Sequence, residues 1–140
     1  MLQRLQTVWL LLAAVLEAAT LRLSFFSGNK LDAATNQKTW IEFTAMQNVF
    51  ILILTIAVAV AALVAIFMYK DRKRQLLITL ITTVVSVVSI LLYFQQKTNF
   101  VEANLDLTSL TAFFVPVFLL LAARGIYQDD QLVKSADRLR

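Results

Sequence analysis

Two long apolar runs dominate the pattern along the chain, residues 49–69 and 76–94, joined by the polar stretch Lys70-Asp71-Arg72-Lys73-Arg74-Gln75. Neither run carries a charge. A helix rising 1.5 Å per residue through either would cross a hydrocarbon core about 30 Å thick, so the pair reads as a transmembrane hairpin whose basic turn faces the cytoplasm. A further apolar run covers 107–123, after the polar segment 95–106. Near the start, 8–16 is apolar and the pattern resumes beyond Glu17, interrupted by Arg22, as far as Phe26. The predicted fold is all-α: an integral membrane four-helix bundle forming a single domain over 1–140. Its helices run over about 5–27, 46–70, 75–95 and 107–126, with external loops 28–45 and 96–106 and a cytoplasmic tail 127–140. In that tail Leu132, Val133, Ala136 and Leu139 recur at helical spacing, which predicts a short amphipathic C-terminal helix.

Local signals refine this outline. Gly28, directly after Phe25-Phe26-Ser27, suits the left-handed cap of a helix end. The loop that follows is polar with mixed charge and reads as a solvated connector, with Trp40 and Phe43 at the headgroup layer. Pro116 must free the carbonyl of Ala112 and is expected to bend the fourth helix, a structural kink rather than a gate. Ala57, Ala61 and Ala65 are spaced four apart, and such a small-residue stripe is expected to let a neighbouring helix approach closely. Thr79, Thr82, Thr83 and Ser86 share one face of the third helix, which should turn inward. A secretory signal is the alternative reading of the first twenty residues, but the apolar pattern resumes after Glu17 and Ala18-Ala19-Thr20 is a poor cleavage site, so a retained helix is expected.

Composition and charge sharpen the class. The chain has 140 residues, of which 59% are hydrophobic, above the roughly 45–50% of soluble domains. Its net charge of +4 comes from basic residues at helix ends, where orientation and anionic lipid account for them without nucleic acid. With both termini inside, Arg4, Lys70, Arg72, Lys73, Arg74, Arg124, Lys134, Arg138 and Arg140 are cytoplasmic, nine of thirteen basic residues, as the positive-inside rule requires. The expected location is the bacterial inner membrane, multi-pass. Cysteine and histidine are absent, which excludes disulfides, thiolate nucleophiles, histidine-ligated haem and nearly all zinc or copper sites. Two glycines and one proline cannot build a phosphate-cradling loop. No catalytic, cofactor-binding or metal-ligating residues are assigned, and no cofactor is expected.

One intramembrane acid remains. Glu17 falls near mid-membrane, where a charge costs about 3 kcal/mol even on insertion scales, so it is either protonated or paired inside the bundle. Arg22, about 140° around the helix, is a poor partner, and the Thr79, Thr82, Thr83 and Ser86 stripe is the better candidate. A structural hydrogen bond and a proton- or ion-coupling site both fit these residues.

The opening M-L-Q-R-L-Q-T-V-W-L-L-L-A-A, residues 1–14, with the closing L-A-A-R-G-I and D-D-Q-L-V-K-S-A-D-R-L-R, resembles a family of small integral-membrane proteins of unknown function from the Bacteroidota, domain of unknown function family 4293. The resemblance implies a four-helix inner-membrane protein and supplies no activity. The matching residues Arg4, Gln6, Arg124, Gly125, Asp137 and Arg138 all fall on the cytoplasmic side. Arg4, Arg124, Asp137 and Arg138 are therefore the candidate surface for another membrane protein or complex, against the plainer reading of orientation signals. The expected function is a non-enzymatic accessory or assembly subunit whose other partner is the lipid bilayer. The alternative is a small proton- or ion-coupled transporter or channel using Glu17 and the hydroxyl stripe. An intramembrane enzyme is disfavoured, because no nucleophile has a base and no second acid shares the membrane.

Overall fold

The computed structural model describes residues 2–138, with the side chains of residues 2–4 and 137 outside that description. Its element order is α1 (Leu2–Ala19), β1 (Phe26–Leu31), β2 (Lys38–Phe43), a short 3-10 turn (Ala45–Gln47), α2 (Val49–Phe67), α3 (Arg72–Lys97), β3 (Glu102–Leu105) and α4 (Ser109–Arg138). The helices pack in a ring, α1 against α2 and α4, and α3 against the same two. Short connections produce this order. Met68–Asp71 turns α2 directly into α3, where Asp71 caps the new helix by accepting from Arg74 N at 3.3 Å. Asn48 does the same for α2, its side chain accepting from Phe50 N and Ile51 N.

The fold is mostly helical but not all-α, because the two segments expected as loops pair into a three-stranded antiparallel sheet, ordered β2-β1-β3. Ser27 faces Glu42 on one side and Asn104 on the other. β2 holds the β-favouring Thr39, Trp40, Ile41 and Phe43, while the buried start of β1, Phe26 to Gly28, lies between β2 and β3. Phe26 stacks on Phe43 at 4.8 Å between ring centroids and meets Phe100 edge-on at 5.0 Å, while Phe25 stacks on Tyr93 of α3 at 4.3 Å. The hairpin closes through Asn36, in the left-handed region at φ 53°, and through Asp32, whose side chain accepts from Ala34 N.

Two further boundaries differ from expectation for the same reason. The first helix stops at Ala19, with the Thr20 hydroxyl donating to the Glu17 carbonyl at 2.6 Å, since Phe25 and Phe26 are drawn into the aromatic cluster. Gly28 caps no helix. It lies within β1, and no glycine has a positive φ. At the other end the tail is not a separate helix, for α4 continues unbroken through Pro116 to Arg138, 30 residues or about 45 Å.

The helices are apolar on the outside and polar within. On α3 the buried side chains include Gln75, Thr79, Thr82, Thr83, Ser86, Ser89 and Tyr93, while Leu80, Ile81, Val84, Val88 and Leu91 are exposed. That is the reverse of a water-facing amphipathic helix, and it is the pattern expected where the surroundings are lipid. α2, α3 and most of α4 are long and apolar enough to cross a membrane, whereas the apolar part of α1, Leu5–Ala19, is shorter.

Candidate functional site

Glu17 is buried, 4% exposed, near the upper end of α1. Counting about 1.5 Å per residue from the level where Gln6 meets Asp129 and Gln75 meets Ala65, Glu17, Thr55 and Ser86 stand at a similar height, roughly 15–17 Å up. The structure thus brings Glu17 level with the top of the hydroxyl stripe. It does not join them. Thr79 donates to the Gln75 carbonyl at 2.8 Å, Thr82 to Ile78 at 2.7 Å, Thr83 to Thr79 at 2.8 Å and Ser86 to Thr83 at 2.7 Å. Each hydroxyl proton is held by its own helix, so the stripe packs rather than serving the acid.

Above Glu17 lies a group that sequence reasoning passed over. Tyr93 of α3 feels the Glu17 charge and has the Thr20 and Thr55 hydroxyls beside its phenol. No side-chain hydrogen bond or ion pair reaches the Glu17 carboxyl among the described residues, and Thr55 Oγ1, Ser89 Oγ and Tyr93 Oη are likewise buried without a partner of regular geometry. The signal was available: Tyr93 follows Ser86 by seven residues, two turns along the same face.

This polar level is closed above and below. Beneath it, Leu10, Ala13, Ala14, Val58, Ala62, Val115, Leu119 and Ala122 form one buried apolar cluster. Above it, Phe25, Phe26, Phe43, Ala45, Ile51 and Ala112 form another with the ring of Tyr93, which stacks on Phe25. The small-residue stripe proposed for α2 is rotated from its expected place. Ala65 is buried and Ala61 half-buried, but Ala57 is exposed, and the inward face is Ile51, Thr55, Val58, Ala62 and Ala65. Nearly every residue of α2 is apolar, so spacing alone could not orient it, and the single hydroxyl of Thr55 marks the inner face.

The ends of α1 and α4 do meet, through Gln6 and Gly125 of the family-like residues and through Asp129, which the sequence reading left out. Gln6 Nε2 donates to Asp129 Oδ2 at 2.7 Å, both side chains buried, and Arg72 Nη1 donates to the Asp129 carbonyl at 2.9 Å. Gln75 Nε2 donates to the Ala65 carbonyl at 2.9 Å. One network therefore ties α1, α3 and α4 at this end. Gly125 makes room for it, since a Cβ there would lie 2.8 Å from Gln6 Cγ. Arg124 and Arg138 are exposed, and the side chains of Arg4 and Asp137 lie outside the described residues. Among the described residues no cluster of three or more acidic, histidine or cysteine side chains could hold a metal ion.

The model of one protein family, Domain of unknown function (DUF4293), matches residues 2–139. The chain belongs to this family. The match takes in both ends, so Gln6, Gly125 and Asp129, which join them, lie within the family's own span. No curated protein and no solved structure matches the chain.

Proposed function

We propose that this DUF4293 protein is a multi-pass protein of the bacterial inner membrane, a four-helix bundle with both termini cytoplasmic. In this reading it is a non-enzymatic accessory or assembly subunit of a larger membrane complex. The observation that carries the reading is the end of α4. Beyond Asp130 every described side chain is exposed, including Leu132 at 56% and Val133 at 44%. A helix running on for about two turns past its last buried contact, with apolar side chains that none of the described residues covers, suits a handle for a partner. Arg138 lies on this handle. The ring beneath it supplies a rigid anchor, with its core closed by the two apolar clusters.

The test is gentle extraction of the full chain from its own membrane, followed by mass spectrometry of what stays bound. A protein should co-purify reproducibly, and Leu132→Ser with Val133→Ser should release it while the chain remains in the membrane. Retention of the same partner by that double variant would remove the handle from the proposal.

A second reading rests on Glu17 itself, a buried acid beside Tyr93 with no partner for its carboxyl among the described residues. It makes the protein a small proton- or ion-coupled transporter. In liposomes Glu17→Gln should then abolish coupled flux without loss of fold. An accessory subunit should tolerate the change and keep its partner.

A further inference from the structure

Between the lower ends of α1, α2 and α3 lies a cavity of about 430 Å³, within the range of small-ligand sites. One wall is apolar, made by Ile66, Phe67 and Tyr69, with Phe67 78% exposed. The floor is polar, made by the buried side chains of Gln6 and Gln75 and by Arg72. A second concavity of about 640 Å³ shares Tyr69 and Arg72 and adds Lys70 and Lys73. A polar floor beside an apolar wall is a site for an amphiphile.

Asp71 and Asp130 line this second concavity as well as the three cations. Asp71 is paired with Arg74 at 3.0 Å and Asp130 with Lys134, so the two acids nearest the loop already have cations. The carboxylate of Asp129 is turned to Gln6, and among the described residues Arg72 bonds only to the Asp129 carbonyl. Lys70, Arg72 and Lys73 are left without an ion pair among the described residues, three cations of the second concavity, of which Arg72 also lines the first.

We infer that these two adjoining concavities, joined at Tyr69 and Arg72, together bind the headgroup of an anionic phospholipid from the facing leaflet. The phosphodiester sits against Lys70, Arg72 and Lys73, and the start of an acyl chain lies on Ile66 and Phe67. A soluble phosphate would make no use of the exposed Phe67. The apolar wall continues upward into Leu63 and Val64, which are exposed on α2 and face lipid if the helix spans. The inference rests on the membrane-embedded reading above but not on the α4 handle, so the failure of either leaves the other standing.

The experiment is native mass spectrometry of the delipidated full chain in detergent, titrated with phosphatidylglycerol and phosphatidylcholine of identical acyl chains. One phosphatidylglycerol should be retained in clear preference. Lys70→Gln with Lys73→Gln should weaken phosphatidylglycerol by roughly thirtyfold, at about one unit of surface-charge attraction per lysine, and leave phosphatidylcholine unchanged. Both lysines are exposed and unpaired, so unchanged phosphatidylcholine binding also reports that the variant is folded. Equal retention of the two lipids by the wild-type chain would overturn the inference, as would a double variant with its preference intact. Displacement of the lipid by soluble glycerol 3-phosphate would assign the cations to a soluble anion instead.

Discussion

Two glycines act by what they lack. Gly125 lets α1 approach α4 closely enough for Gln6 to reach Asp129, and Gly125→Ala would push Gln6 off that contact. We expect a loss of about 1–3 kcal/mol, read as a lower Tm in detergent, from overpacking together with a disturbed buried hydrogen bond. Gly28 sits under the strand β3, where an added Cβ would come within 1.9 Å of the Glu102 carbonyl oxygen. Gly28→Ala therefore cannot be absorbed by a side-chain shift. It should detach β3 from β1, detected as faster amide exchange at Glu102 and Asn104 while the exchange of the α2 and α3 amides is unchanged.

At the scale of the element, α2 shows how little pattern an all-apolar helix carries. Its inward face is fixed by Thr55 and by the small Ala62 and Ala65 against the neighbouring helices, and Ala57 lies outside. Ala62→Leu should cost about 1–3 kcal/mol by forcing a bulky side chain into a closed contact, whereas Ala57→Leu should leave Tm unchanged. Equal effects of the two would put the inward face back where the alanine spacing suggests. On α3 the opposite holds, because the hydroxyls are sparse and periodic among aliphatic residues, so the buried face was legible from Thr79 to Ser86 without any structure. Spacing could not say where those hydroxyls point. Each finds a carbonyl of its own helix, an intrahelical choice that competes successfully with a distant acid.

For the whole molecule, the proposed orientation places the hairpin tip outside and the α2–α3 loop inside. With cysteines at Asn36 and Lys73, an impermeant reagent added to intact cells should label position 36 and spare position 73. The reverse pattern would invert the topology. The sheet bears on this arrangement: it covers the helix tops with Phe26, Phe43 and Phe100, while the opposite end is tied by Gln6, Arg72 and Asp129.

By itself the sequence determined the helical segments, because long uncharged runs leave the backbone no way to satisfy its polar groups in lipid except within a helix. It determined the inner face of α3 and the family, whose match runs over residues 2–139. Only the tertiary structure decided that 26–31, 38–43 and 102–105 form one sheet, since strands 70 residues apart pair through backbone groups that carry no local signature. It also decided that the first helix stops at Ala19, and that the stripe hydroxyls bond to carbonyls of their own helix rather than to Glu17. Those outcomes depend on which side chains converge from different elements, and convergence in space is not written in the spacing along any one of them.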